Sequence, residues 1–340
     1  MGIVTNSIDD KGVKIEKIVE EILFENNTLN KNLVNFIDDI KANAYITEAK
    51  ASAQLQAYTS GVPVSQGELD TWDAEITPDK MLTYQTFDPE KLRFTRFKSS
   101  MKAGAYENFS DEFEKVVIGG IYAKQISLRL EREFWLGATS ATKSTIAALT
   151  AGTAQDAIGA EEQAMVSSAL GNDGLTDGLL TKILYNSSNE NGTAAVGGRV
   201  KVKGTAIDAT NIKDEYDKIY NAIPAVVLEN GEAPLIYAPY SHRQLITTFN
   251  NNVANFKDAF GVSGDTFTFN GIAIEFVPTP QDVVLVGDKM NFHWCTDLID
   301  DVNRLNMDKV EASSDIWFLK TVMTLTAHVS NQAFNVLYVG

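Results

Sequence analysis

By residue type, the stretches best suited to chemistry are 137–144, the triplet His293-Trp294-Cys295 and two pairs of adjacent acids. Gly137-Ala138-Thr139-Ser140-Ala141-Thr142-Lys143-Ser144 has the lysine and hydroxyl of a phosphate-binding loop. Thr142, however, stands where that loop needs its second glycine, the residue that lets backbone amides approach the phosphates. The stretch also follows a helical pattern where a strand is required. His242, His293 and His328 lie far apart, and no two share a metal-ligand spacing. His293 and Cys295 could supply an imidazole and a thiol, but the triplet lies in an alternating strand, which predicts a packed core or an interface. Gly171-Asn172-Asp173-Gly174 lacks the alternating acids of a calcium loop. Asp38-Asp39 and Asp300-Asp301 are neighbours that point apart, suiting a solvated face better than acid/base work. The expectation is a protein that is not an enzyme, with no catalytic, cofactor-binding or metal-binding residues.

Composition narrows the remaining classes. A length of 340 residues predicts about two domains. The net charge of −16 argues against general nucleic-acid binding, because phosphate contacts need surplus Lys and Arg. The longest apolar stretch, 222–228, contains Pro224 and is too short to span a bilayer, so no membrane partner is expected. Cys295 is the lone cysteine, so packing or self-association must supply the stability that disulfides give other chains. No basic-then-apolar leader opens the chain, which predicts a protein used inside a cell.

The elements begin with helical patterns. Val13, Ile15, Ile18, Val19, Ile22 and Leu23 predict an amphipathic helix over 12–25. Thr28 is placed to cap a second helix carrying Leu29, Leu33, Phe36, Ile37, Ile40 and Ala44, with helical character continuing to Tyr58. From Gly61 the punctuation changes, and 81–87 and 92–98 read as strands joined by the turn Asp88-Pro89-Glu90. A two-stranded ribbon is marginal alone in water. Its apolar Leu82, Tyr84, Leu92, Phe94 and Phe97 find nothing local to bury them, while Arg93, Arg96 and Lys98 belong to a run, 91–102, that contains no acid. These eight residues are therefore expected to contact a neighbouring copy of the chain, the apolar ones by burial and the basic ones by meeting its acids.

The strongest helical pattern runs over 110–136. Ile118, Tyr122, Ile126, Leu130 and Phe134 form one ladder, and Phe113, Val117, Ile121, Leu128 and Trp135 widen it. Glu131 and Glu133 stand against the macrodipole in its last turn. Residues 137–210 read as loops around a helix near 160–170 and a strand near 181–185. Asn211 then caps a helix through Ile212, Tyr216, Ile219, Tyr220 and Ile223 that is interrupted near Pro224. Residues 235–238 form a buried strand, and Ser241 caps a helix over 242–249. Phe267 and Phe269, then Ile272, Ile274 and Phe276, flank Asn270-Gly271 as a hairpin. Strands at 283–286, 316–329 and 334–339 complete the chain.

This order resembles the major capsid protein of tailed double-stranded-DNA bacteriophages. The residues that carry the likeness are Leu136-Gly137, Gly178-Leu179-Leu180, Ile223-Pro224, the strand 235–238, Ser241 and its helix, Lys257-Asp258-Ala259-Phe260-Gly261, the Gly271–Phe276 strand and Gly287-Asp288. The chain departs from the family in lacking an arginine between Leu325 and Gly340, and in the length of the 138–205 segment. The resemblance implies an α+β fold with a tailed-phage capsid architecture: an N-terminal helical arm (1–58), an extended β-hairpin loop (59–106), a peripheral domain with a long spine helix (107–205 and 285–329) and an axial domain (206–284 and 330–340). It implies self-assembly into hexamers and pentamers of an icosahedral shell that encloses double-stranded DNA without sequence-specific binding. It also implies portal, scaffolding and decoration proteins as partners, and a virion component assembled in the host cytoplasm. Encapsulins resemble the same fold but enclose a protein cargo, and the long N-terminal arm leans toward the phage reading. A soluble enzyme with an unrecognised site is the alternative from another class.

Overall fold

The computed structural model describes residues 26–40, 44–53, 55–58, 62, 67–88, 121–152, 157–168, 174–186, 195–196, 199–229, 234–252, 260–297, 304–311 and 316–340. The expected helix over 12–25, the strand over 92–98 and the part of the 110–136 helix before 121 lie outside these residues. In chain order the helices are α1 (Asn27–Asn30), α2 (Lys124–Leu136), α3 (Ser140–Ala148), α4 (Ala160–Ser168), α5 (Leu179–Leu184), α6 (Ile212–Asn221), α7 (Ala225–Glu229) and α8 (Tyr240–Asn252). The strands are β1 (Asn35–Ile37), β2 (Ala44–Ala53), β3 (Gly67–Ile76), β4 (Asp79–Phe87), β5 (Tyr185–Asn186), β6 (Ala195–Val196), β7 (Val200–Lys203) and β8 (Leu235–Pro239). They continue with β9 (Phe260–Ser263), β10 (Thr266–Phe269), β11 (Ile272–Val277), β12 (Val283–Gly287), β13 (Phe292–Cys295), β14 (Arg304–Lys309), β15 (Trp317–Val329) and β16 (Val336–Val339).

Among the described residues, two sheets carry the chain. In the five-stranded sheet, β15 pairs antiparallel with β4, β13 and β14, and β1 joins β13 in parallel. The first half of β15 alternates between buried and half-buried residues, as a strand with one covered face should, and its second half is buried throughout. The seven-stranded sheet runs β7-β16-β12-β8-β11-β10-β9. β12 (VVLVG) and β16 (VLYV) are unbroken apolar runs because both faces of this sheet are covered. Val283, Leu285, Leu337 and Val339 join the core beneath α2 and α5, whereas Val284, Val286, Val336 and Tyr338 face a second core built on α6 and α8. β10 and β11 turn at Asn270 (φ 48°) and Gly271 (φ 86°), the paired left-handed residues of a tight hairpin turn.

The helix expected from Thr28 to Tyr58 is corrected. α1 is one turn long and is capped by Asn26, whose side chain accepts from the Leu29 N–H at 2.8 Å. Thr28 points instead to α2, and Asn32 (φ 55°) turns the chain out of the helix. Residues 35–37 and 44–53 are strands, the second despite an alanine-rich sequence, because cross-strand pairing outweighs a weak helical preference. The strand expected near 181–185 is helix α5, whose Leu179, Leu180, Ile183 and Leu184 share one buried side at helical spacing. The stretch expected as loop after Gly137 holds α3, and Ser241 lies inside α8 rather than capping it. β12 crosses the expected boundary between 284 and 285, and β7, expected on the peripheral side, belongs to the seven-stranded sheet.

Candidate assembly surface

The spine α2 holds the two sheets and the N-terminal segment together. Ile126, Leu130, Phe134 and Trp135 are buried in one core, and Phe134 stacks on Trp294 of β13 with centroids 4.5 Å apart. Trp135 packs on Tyr237 of β8 at 5.3 Å, and the Tyr237 hydroxyl donates to the Leu33 carbonyl at 2.7 Å. Leu128 and Ile121, expected to widen the buried stripe, are exposed. Glu131 and Glu133, which run against the helix dipole, are both buried acceptors. Glu131 accepts from the Thr28 backbone N–H at 3.0 Å and from its hydroxyl at 2.7 Å, and Trp135 Nε1 donates to that hydroxyl at 2.9 Å. Burial raises the Glu131 carboxyl above its ordinary range, and the Thr28 bonds oppose the rise without cancelling it. Glu133 accepts from Arg129 at 2.6 Å and from the Leu175 N–H at 3.2 Å.

Leu136-Gly137 and Gly178-Leu179-Leu180 turn out to be two halves of one joint. The Gly178 N–H donates to the Gly137 carbonyl at 2.8 Å, and the Thr181 hydroxyl donates to the same oxygen at 2.6 Å. A Cβ on Gly137 would fall 2.4 Å from the Thr176 carbonyl oxygen, and one on Gly178 would fall 2.6 Å from the Glu133 carbonyl oxygen. Only glycine allows the end of α2 and the start of α5 to meet backbone to backbone. The phosphate-loop-like stretch begins here too. Its helix start is already filled by Asp177, which accepts from the Thr139 N–H at 2.9 Å and from the Thr142 hydroxyl at 2.7 Å.

Outside the two large sheets, the longest strands among the described residues are β2 and β3. They pair with each other over ten positions, from Ala44↔Ile76 to Ala53↔Gly67, and no third strand joins them among the described residues. At about 3.3 Å per residue this ribbon is roughly 33 Å long. Its root is fixed by Ile76, Ile40 and Cys295, packed with Ala44 and Ile46. Beyond it, Leu55, Tyr58 and Val62 are each at least 95% exposed, an apolar tip that nothing in the described subunit covers. The ribbon strands carry Glu48, Glu68, Asp70, Asp73 and Glu75 against the single Lys50.

The free ribbon is therefore earlier in the chain than the sequence suggested. β4 lies in the five-stranded sheet, paired with β15 at nine positions from Asp79↔Leu325 to Phe87↔Trp317. Leu82 and Tyr84 are exposed on it, and Tyr84 stacks on Phe318 at 5.5 Å. Leu92, Arg93, Phe94, Arg96, Phe97 and Lys98 lie outside the described residues. Between β4, α2 and β15 runs an apolar groove of about 470 Å³, floored by Met81, Ile126, Leu130 and Met323 and edged by the Arg129–Glu133 ion pair.

Of the residues considered for chemistry, Cys295 and His242 are both buried. Cys295 is buried, which pushes its thiol up to about 12. Tyr216 donates its hydroxyl to His242 Nδ1 at 2.9 Å, so Nε2 carries the ring proton and donates to the Gln281 carbonyl at 2.7 Å. Burial lowers His242 to about 4, leaving it neutral at physiological pH. Among the described residues no group of three or more His, Cys, Asp or Glu side chains is placed to hold a metal, and no helix is long and apolar enough to cross a membrane.

No protein-family model and no curated protein matches the chain. Solved structures do. The chain is similar to one from the procapsid of satellite phage P4, a structure that includes the size determination protein, with 13% identity and a TM-score of 0.53 over 95% of this chain and 98% of that one. A capsid chain of an empty GTA particle gives 13% identity and a TM-score of 0.52 over 91% and 88%. A structure of Mycobacterium phage Bobi gives 12% and 0.50 over 91% and 89%. At these identities the likeness establishes architecture, and that architecture is the α+β fold of tailed-phage capsid subunits.

Proposed function

We propose that this chain, having the tailed-phage capsid fold, is the major capsid protein of a tailed double-stranded-DNA phage. Its copies join as hexamers and pentamers and close an icosahedral shell around the genome. The observation that carries this reading is the β2–β3 ribbon, a two-stranded arm with an exposed apolar tip. Such a ribbon is marginal alone and needs a second surface, which an adjacent copy supplies. The tip, the exposed Leu82 and Tyr84 of β4 and the groove beside them are the surfaces we assign to that contact, together with Leu92, Phe94 and Phe97. The similar structures are phage capsids, which favours a genome shell over an encapsulin-type cargo shell and supports a structural role over an enzymatic one. In this reading the seven-stranded sheet with α6 and α8 forms the axial domain, and α2 with the five-stranded sheet forms the peripheral domain. Portal, scaffolding and decoration proteins would be its further partners, and the host cytoplasm its place of assembly.

Charge fits this use. A shell that gripped packaged DNA could neither fill nor empty, and a subunit with a net charge of −16 holds few phosphate contacts. Arg93, Arg96 and Lys98 are then free to meet acids of a neighbouring copy, and the acid-rich β2–β3 ribbon is the counterpart that charge favours. Arg93→Glu combined with Arg96→Glu is expected to lower the yield of closed shells relative to free capsomers. The defect should change with ionic strength, because partly exposed pairs are screened by salt. Normal shell yield with poor DNA retention would overturn this assignment and set the basic run against nucleic acid.

A further inference from the structure

All three histidines of the chain are buried, and two of them meet across a strand boundary. His293 of β13 and His328 of β15 are register partners, with ring centroids 5.8 Å apart. On the other side of β13 the register partner of His293 is Asn35 of β1. The Asn35 amide Nδ2 donates to His293 Nδ1 at 3.1 Å, so the neutral ring carries its proton on Nε2 and donates to the Ser330 hydroxyl at 2.6 Å. β1 is three residues long and lies at the edge of its sheet. It is also where the segment leading from α1 joins that sheet, so one imidazole sits at the joint of the N-terminal segment.

We propose that the His293–His328 pair is an acid-released latch for the N-terminal segment. A proton on His293 Nδ1 sets an N–H against the donating Asn35 amide and puts a cation beside the second imidazole. β1 then parts from β13, while the antiparallel pairing of β15 with β4 and β14, which involves neither ring, persists.

The groups facing His293 are Asn35 from β1, His328 from β15 and Ser330 from the turn after β15. Asp38 and Asp39 follow β1, Asp288 and Lys289 precede β13, and Asp297 follows it. Lys182 Nζ donates to Thr326, two residues before His328. Of these charged groups, His328 is the one that bears on the titration. Burial first, and then His328, hold His293 down at about 4, against an ordinary 6.5. The closed latch therefore binds its proton less readily than the open one. Its contribution is whole above 6.5 and is lost progressively as pH falls from 6.5 towards 4.

The test is amide hydrogen exchange of the full-length subunit at pH 7 and pH 5, corrected for intrinsic rates, with β12 as the reference strand. Linkage between 6.5 and about 4 predicts that protection of 35–37 falls by roughly 20-fold between those pH values while β12 keeps its own. His328→Asn, by removing part of what holds the closed ring down, should make the fall in protection smaller, and His293→Gln should leave β1 protection the same at both. Equal protection of β1 at pH 7 and pH 5 would overturn the latch, as would joint loss of β1 and β12 or a full acid response in His293→Gln. Should His293→Gln fail to protect β12 at pH 7, the smaller fall in His328→Asn decides alone.

Discussion

Leu130→Ala is expected to destabilise the isolated subunit by about 2–5 kcal/mol, whereas Leu128→Ala, two residues away on the same helix, should cost less than about 0.5 kcal/mol. Leu130 is 5% exposed on the face of α2 that shares a core with Met323 and Leu325 of β15, so truncation loses apolar burial and widens the groove it floors. Leu128 is 43% exposed and leaves no void. Denaturant melts of capsomer-free subunit at constant m-value would measure both. Equal losses at the two positions would mean that the buried face of the spine has been assigned to the wrong side.

Gly178→Ala should cost about 3 kcal/mol or more, at the upper end of what overpacking a close contact costs. The backbone there (φ −76°, ψ 177°) is one that any residue adopts, so the penalty is steric. The new methyl would sit 2.6 Å from both the Glu133 carbonyl oxygen and the Gly137 nitrogen, and 2.8 Å from the Phe134 carbonyl oxygen. All three are backbone atoms of α2 or its end, and none can swing aside as a side chain would. Thermal melts should show the loss, and far-ultraviolet circular dichroism should show that the helices remain. A variant as stable as the parent would mean that α2 and α5 are free to separate there, and that the Leu-Gly and Gly-Leu-Leu steps are not one joint.

Much of this architecture was legible because its signals are local. The Asn270-Gly271 turn, the apolar runs of β12 and β16 and the 3.6-residue stripe of α6 each show in a short window. β2 was not, since AYITEAKASA favours a helix taken alone, and the partner that makes it a strand lies across the ribbon in β3. The same limit hid Glu131 and Glu133. As sequence they are charges at the wrong end of a dipole, and only contacts with Thr28 and Leu175 explain them. Of the eight residues expected at an assembly surface, Leu82 and Tyr84 are exposed, on a strand that its own subunit already holds. The acid-rich ribbon that is free to reach outward carried no motif, and what marks it is the exposed Leu55, Tyr58 and Val62 beyond a paired stem. Leu136-Gly137 and Gly178-Leu179-Leu180 were visible as motifs, yet their reason, a backbone contact across about forty residues, belongs to the fold.

The most direct test of a shell subunit is the size of what the purified full-length chain forms, read by sedimentation and electron microscopy across protein concentration and salt. Hexamers, pentamers or closed shells are predicted, with a variant lacking 54–66, the connection at the ribbon tip, remaining folded but failing to close them. A folded parent chain that stays a monomer or a small closed oligomer under every condition would contradict the proposed function.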